Sequence, residues 1–320
     1  MSITAEDLSS FSLATFIQFQ LFSSRPLTSL HPCPNPRVIE NPLQLHMHAK
    51  REMDTSAYDT TTRHLPRILC LHGGGTNASI FRTQCRQLSR SLEPHFRLVY
   101  VEAPFASLAG PGVVPVFADS GPFKRWFPDG GEHSDADVIS AIDASLRKAM
   151  EDDDALAGAT GPWVGLLGFS QGAKLAASLL YRQQQRAVEH PERVESVGNW
   201  RFGVILAGRG PLVALDLEAC RSSMLDKPSS VTIAMGDGHV STSGDAAGDG
   251  CLLRLPTLHV HGTLDPGLEL HRQLLERCCA PGTTRLLEWP GDHRLPLKSA
   301  HVDPVVAEMV QMAASTGVQV

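Results

Sequence analysis

Ser170 lies in the pentapeptide Gly168-Phe169-Ser170-Gln171-Gly172, a serine with a glycine two residues to either side. The apolar run Trp163-Val164-Gly165-Leu166-Leu167-Gly168 precedes it, and helical spacing over Ala173 to Gln185 follows. A serine at a sharp strand-to-helix turn projects its Oγ above the sheet edge. The turn demands unusual backbone angles and brings neighbouring chain close, so Cβ atoms at the flanking positions would clash. A serine hydroxyl is a weak nucleophile until a base takes its proton. Two downstream segments supply candidates. One is Asp265 in His261-Gly262-Thr263-Leu264-Asp265-Pro266, directly after an apolar run. The other is His293 in Gly291-Asp292-His293, shortly after the last apolar run. His293 is the expected base. Asp265 is expected to orient its ring and stabilise the charged imidazole.

Rival residues carry blander readings. His259 and His261 fall on the same apolar run as a strand would, and satisfied core histidines are the expectation there. His72 is expected to shape the turn after the first strand. Asp292 adjoins His293 in sequence, which is poor geometry for an orienter. Asp216 is a weaker alternative to Asp265. An oxyanion formed at an acyl carbonyl also needs backbone N–H donors. The Gln171 amide, at the start of a helix, is one. The second is expected from His72-Gly73-Gly74-Gly75, with Gly74 first and Gly75 next. This glycine run is no phosphate loop, because neither a following Lys-Ser/Thr nor a G-x-G-x-x-G spacing is present.

These groups must be held by a frame. Arg67 to His72, Arg97 to Val101, Trp163 to Gly168, Phe202 to Ala207, Thr257 to His261 and Arg285 to Trp289 read as buried strands. Ala78 to Leu92, Asp137 to Met150, Ala173 to Gln185 and His301 to Ala314 read as helices. Alternating strands and helices predict an α/β fold with a mostly parallel central sheet, helices on both faces and the site at the strands' carboxyl ends. The acidic run Glu151-Asp152-Asp153-Asp154 is expected to be a solvated helix end. Residues 103–135, rich in Pro, Gly and Phe, read as a long functional loop or lid. Its aromatics suit an acyl pocket; Phe105 and Trp126 are candidate substrate contacts. An insertion is expected at 225–250, and 1–64 reads as an extended arm before a catalytic domain over 65–320.

Composition excludes other classes. The 320-residue chain has a formal charge of −6 and no basic stripe, so nucleic acid is not an expected partner. The apolar run Phe11 to Phe22 is too short to span a membrane and follows Glu6 and Asp7, which argues against a signal peptide. Seven irregularly spaced cysteines give no metal or disulfide framework. Buried free thiols in the cytoplasm are the expectation. No metal or organic cofactor is required by this chemistry.

Taken together, the segments Ile68-Leu69-Cys70-Leu71-His72-Gly73, Glu102-Ala103-Pro104-Phe105, Gly168 to Gly172, and His261 to Asp265 with Gly291 to His293 resemble the FSH-type serine hydrolases of the α/β-hydrolase superfamily. That family includes fungal polyketide-cluster esterases and thioesterases. The resemblance spans residues 67 to about 312. It implies a Ser-Asp-His triad on Ser170, Asp265 and His293. It also implies hydrolysis of an ester or thioester, with release of a polyketide-type chain from a synthase carrier domain as the expected role. A general carboxylesterase acting on small esters and an acyltransferase or cyclase use the same acyl-enzyme and stay open. The arm and the 225–250 insertion lie outside the family pattern.

Overall fold

The computed structural model describes residues 61–110, 112–130, 132–189, 199–218, 223–231 and 252–320. The expected arm therefore lies outside the described residues except for 61–64, as does the expected insertion except for 225–231.

Six strands form one sheet: β1 (Arg67–Leu71), β2 (Arg97–Val101), β5 (Trp163–Phe169), β6 (Phe202–Leu206), β7 (Thr257–Gly262) and β8 (Thr284–Trp289). Their order is β2-β1-β5-β6-β7-β8, and every neighbouring pair is parallel. The chain winds outward from β1 to β2, then resumes on the other side at β5. The strand order reverses between β1 and β5, and open α/β sheets open a crevice at the carboxyl ends of such a pair. Ser170 follows β5 and His72 follows β1.

Both faces of the sheet are covered, because most of these strands carry apolar residues on both sides. Leu69, Leu71, Leu166 and Ile205 meet the helices α4 (Asp135–Ala155) and α5 (Gln171–Glu189) and, through Leu274, α6 (Leu268–Cys278). Ile68, Cys70, Leu167, Val204, Leu258 and Val260 meet α1 (Ala78–Gln84), α2 (Arg86–Leu92) and α7 (Ser299–Ser315). The expected strands and the α/β-hydrolase class are borne out. No described helix is long and apolar enough to cross a membrane.

Four expectations need correction. The single helix over 78–92 is two, parted at Cys85. Residues 103–135 are not merely a loop: β3 (Phe105–Ser107) pairs antiparallel with β4 (Phe123–Arg125), and α3 (Val114–Phe117) lies between them. Helix α6 was not expected at all. The acidic run does close α4, which ends at Ala155, with Glu151 and Asp154 exposed, but Asp153 within it is not solvated. Asp153 is 5% exposed. It accepts from Arg97 Nη2 at 2.6 Å and from Arg67 Nη1 at 3.2 Å. These arginines open β2 and β1, so one carboxylate clamps the amino ends of two strands to the end of α4.

Removing one member of a buried ion network leaves its partners charged and desolvated. Asp153→Ala should therefore lower unfolding stability by about 3–5 kcal/mol. Denaturant unfolding checks this, and the same variant should keep its catalytic rate constants when folded, because the network is at the opposite end of the strands from Ser170.

Candidate active site

Ser170 has φ of 54°, a left-handed conformation that a non-glycine residue adopts only when its surroundings enforce it. Three contacts enforce it here. The Ser170 N–H donates to the Leu206 carbonyl at 2.9 Å, fixing the turn to the end of β6. A Cβ on Gly168 would lie 2.2 Å from the Gly172 carbonyl oxygen. A Cβ on Gly172 would lie 2.1 Å from the Leu71 carbonyl oxygen. The two glycines are thus required by close approach of backbone to backbone, across the turn and from helix to β1.

His293 bridges Ser170 and Asp265. Its Nε2 lies 3.0 Å from Ser170 Oγ, and its Nδ1 lies 2.6 Å from Asp265 Oδ2. The loops after β7 and β8 create this contact. A Cβ on Gly262 would be 2.4 Å from the Gly291 carbonyl oxygen, so only glycine lets the two loops pack. The Leu264 N–H donates to that same carbonyl at 2.9 Å. The Phe169 ring stacks at a tilt against His293, with centroids 5.1 Å apart.

Asp265 is buried, while the His293 side chain stays 34% exposed. Burial pushes the Asp265 carboxyl up, but the hydrogen bond and charge of His293 and the Gly267 N–H outweigh this and hold it below the ordinary aspartate value. The Gly267 N–H donates to Oδ1 at 2.7 Å. One carboxylate oxygen is thereby fixed to the backbone and the other faces the imidazole.

The expected amide donors are Gln171 and Gly74. Gln171 opens α5, so its N–H has no acceptor within the helix and the helix dipole favours negative charge there. In the loop after β1, the Gly75 N–H is already spent on the Lys124 carbonyl at 2.9 Å. Gly74 is partly exposed while Gly73 and Gly75 are buried. Gly74 is thus better placed than Gly75. His72 is buried and braces the loop: its Nε2 accepts from the Ala103 N–H at 3.1 Å, and its Nδ1 lies 2.8 Å from the Gly73 carbonyl.

The β3–β4 segment is stitched onto this loop. Lys124 N–H donates to the Thr76 carbonyl at 2.6 Å. Asn77 Nδ2 donates to the Ser120 and Pro122 carbonyls at 2.8 and 3.0 Å. Trp126 Nε1 donates to the His72 carbonyl at 2.8 Å. The Gln171 side-chain oxygen accepts from the Trp126 N–H at 2.7 Å. The Gln171 side chain, which sequence reasoning passed over, thus ties the nucleophile turn to the segment opposite. Trp126 is fully buried, so its ring presents no surface to a substrate and serves as a brace. Phe105 is partly exposed, packing on the core and against the His133 ring with centroids 5.0 Å apart.

The rival residues fall elsewhere. Asp216 pairs with Arg186 at 3.1 Å, and Asp292 pairs with Arg294 at 3.3 Å. His259 and His261 are buried as expected, yet among the described residues His259 Nδ1 and both ring nitrogens of His261 have no hydrogen-bond partner. Cys70, Cys85, Cys278 and Cys279 are free thiols; Cys33, Cys220 and Cys251 lie outside the described residues.

A serine at a strained strand-to-helix turn, contacted by a histidine that contacts an aspartate, at the switch point of a parallel sheet, defines a serine hydrolase of the α/β-hydrolase class. The family profile described as Serine hydrolase (FSH1) matches residues 61–305. The chain belongs to that family. Among curated relatives, "Esterase pigG" of Monascus ruber is 53% identical over 267 residues, covering 81% of this chain and 96% of that protein. "Esterase claE" of Penicillium crustosum is 49% identical over 267 residues, covering 82% of this chain and 98% of that protein. "Esterase citA" of Monascus ruber is 51% identical over 259 residues, covering 80% and 95%.

Proposed function

We propose that this serine hydrolase cleaves an ester or thioester of a hydrophobic, polyketide-type acyl chain through an acyl-enzyme on Ser170. The observation that carries this reading is the bridge of His293 between Ser170 Oγ at 3.0 Å and Asp265 at 2.6 Å. In the first half-reaction, His293 Nε2 takes the hydroxyl proton as Oγ adds to the acyl carbonyl. The amides of Gln171 and Gly74 hold the oxyanion. Collapse of the tetrahedral intermediate expels the alcohol or thiol, which takes the proton from His293. In the second half, His293 deprotonates a water that attacks the acyl-Ser170 ester, and the acid departs as Oγ recovers its proton. His293 keeps its Nδ1 proton, donated to Asp265 Oδ2, and Asp265 stays ionised throughout.

Apolar surface around the site supports a hydrophobic acyl group. Leu108, Val114 and Val116 of the β3–β4 segment are exposed, and Leu264 is exposed one residue before Asp265. The Leu108–Gly110 stretch lies against Gly75, with the Gly110 N–H donating to the Gly75 carbonyl at 3.0 Å. Exposed apolar side chains are thus carried by the segment packed on the glycine loop and by the loop that holds Asp265, which suits a hydrophobic acyl group. The free thiols among the described cysteines suit a reducing, cytoplasmic setting.

The test compares kcat/KM for long-chain polyketide-type thioesters on an isolated carrier domain, the same acyl group on a simple thiol, and short aryl esters. Preference for long acyl groups is expected. Equal turnover of short aryl esters would reduce the activity to that of a general carboxylesterase. A large gain from the carrier domain would establish it as the partner, and formation of a transferred or cyclised product would point to acyl transfer in place of hydrolysis.

A further inference from the structure

Three buried histidines stand in a row behind the acid, and the hydrolytic scheme uses none of them. His259 and His261 alternate with Leu258 and Val260 along β7, so they share the face that looks toward α6. His271 comes from α6 itself. Ring centroids are 5.9 Å apart from His259 to His261, 5.5 Å from His261 to His271, and 6.0 Å from His271 to His293. All three residues behind the acid are fully buried. Among the described residues, both ring nitrogens of His271 lack a hydrogen-bond partner. Its Nε2 lies 3.7 Å from Asp265 Oδ2, the same oxygen that His293 engages. Apolar residues would fill this seam without the desolvation cost of three imidazoles, so the ring facing the carboxylate calls for an explanation.

Burial pushes His271 down to about 3, against the raising effect of the Asp265 charge, and it holds His259 near 3 and His261 near 4. The row is neutral at working pH. A neutral imidazole has one N–H and one lone pair. A lone pair aimed at an ionised carboxylate oxygen would be repelled, so the tautomer that places the proton on Nε2 is the one Asp265 selects. The other charged or titratable groups packed around this pair are His261 from β7, Arg209 from the loop after β6, and His293 from the loop after β8. Glu288 of β8 and Arg272 of α6 act on the row through His261.

We propose that His271 is a positioning residue, a neutral imidazole whose Nε2–H points at Oδ2 of Asp265 and shares that oxygen with His293. Asp265 then has three donors: the Gly267 N–H on Oδ1, and His293 and His271 on Oδ2. At 3.7 Å the third is a charge–dipole contact in the resting enzyme, and such contacts shorten when charge develops on the neighbouring imidazole. Its effect is to spread the negative charge of Asp265. Without it, Asp265 holds the His293 proton more tightly, and the base must be deprotonated at higher pH. A metal reading of Asp265, His271 and His293 fits less well. Their donor atoms lie within 4.8 Å of one another, but the 2.6 Å edge is a hydrogen bond and is short for two ligands of one tetrahedral ion, whose spacing is roughly 3.4 Å.

This inference rests on the triad reading, and the experiment separates the two. The pH dependence of kcat/KM is measured for the unaltered enzyme, His271→Phe and His271→Gln, beside Ser170→Ala and Asp265→Asn. His271→Phe keeps the aromatic volume and loses the donor. It should move the acid limb up by about half a pH unit or more and lower kcat/KM at the acid side by roughly threefold or more. Gln places an amide N–H near the Nε2 position and should restore the limb. If Phe leaves the acid limb in place, or Gln shares the shift, His271 is only packing and the proposal is overturned. If Ser170→Ala or Asp265→Asn keeps substantial activity, the triad reading itself fails. Should Phe not fold, a shifted acid limb in the soluble Gln variant would equally overturn the rescue on which the proposal depends.

Discussion

Replacing His293 with glutamine should lower kcat by roughly a million-fold, the loss seen when a nucleophile–base pair is broken as a unit. The amide of glutamine can reach toward Ser170, but it cannot take a proton at neutral pH. The 3.0 Å contact from Nε2 to Oγ would survive as a shape and vanish as a function. KM should change little, because the substitution removes a proton acceptor and no apolar side chain. Folding should also survive, since the His293 side chain is 34% exposed and not a core group. Single-turnover measurements of acylation locate the loss in the chemical step.

Asp265→Asn should cost about ten-thousand-fold in kcat by a different route. The Gly267 N–H fixes Oδ1 at 2.7 Å, so the carbonyl of the new amide is held there and its NH2 takes the place of Oδ2. That NH2 now donates to His293 Nδ1. The imidazole must carry its proton on Nε2, where it faces Ser170 Oγ as a donor and cannot accept. The side chain is isosteric, so the 5%-exposed site should keep its packing. A variant that folds normally and acylates at the unaltered rate would show that Asp265 does not set the tautomer.

Both predictions concern residues that were legible in the sequence, and the reason is physical. Ser170 directly follows β5, and Asp265 and His293 lie in the short loops just past β7 and β8; a strand end is where a parallel sheet presents side chains to a crevice. Gly168 and Gly172 announced the turn because a Cβ at either would lie only 2.2 or 2.1 Å from a backbone carbonyl oxygen. What stayed hidden depended on distant chain. Asp153 looked like its acidic neighbours, and only Arg67 and Arg97, 86 and 56 residues away, make it a buried clamp. Trp126 looked like a pocket aromatic, whereas the His72 carbonyl and the Gln171 side chain draw it inward. Helix α6 was missed because its inward face begins with His271, so the apolar stripe expected of an amphipathic helix is interrupted by a polar residue. The three-residue strands β3 and β4 are too short for a period-2 signal and are set by pairing with each other and with the loop after β1.

The His259–His261–His271 row shows the same division. Alternation along β7 places two of these residues on one buried face, and sequence reasoning took them for satisfied core histidines. The fold instead aligns them with a third imidazole beside Asp265, leaving five ring nitrogens without a hydrogen bond among the described residues. A polar seam that leads to Asp265 from within the core is better matched to tuning the acid than to filling space.

The central claim is that Ser170 is an activated nucleophile on which the acyl group is carried. Fluorophosphonate labelling of the intact protein, followed by mass mapping of the modified peptide, tests it most directly. The account predicts one adduct per chain, on Ser170, formed rapidly in the unaltered enzyme, lost in Ser170→Ala and slowed by orders of magnitude in His293→Gln. Labelling at another serine, or turnover that persists in Ser170→Ala, would contradict it.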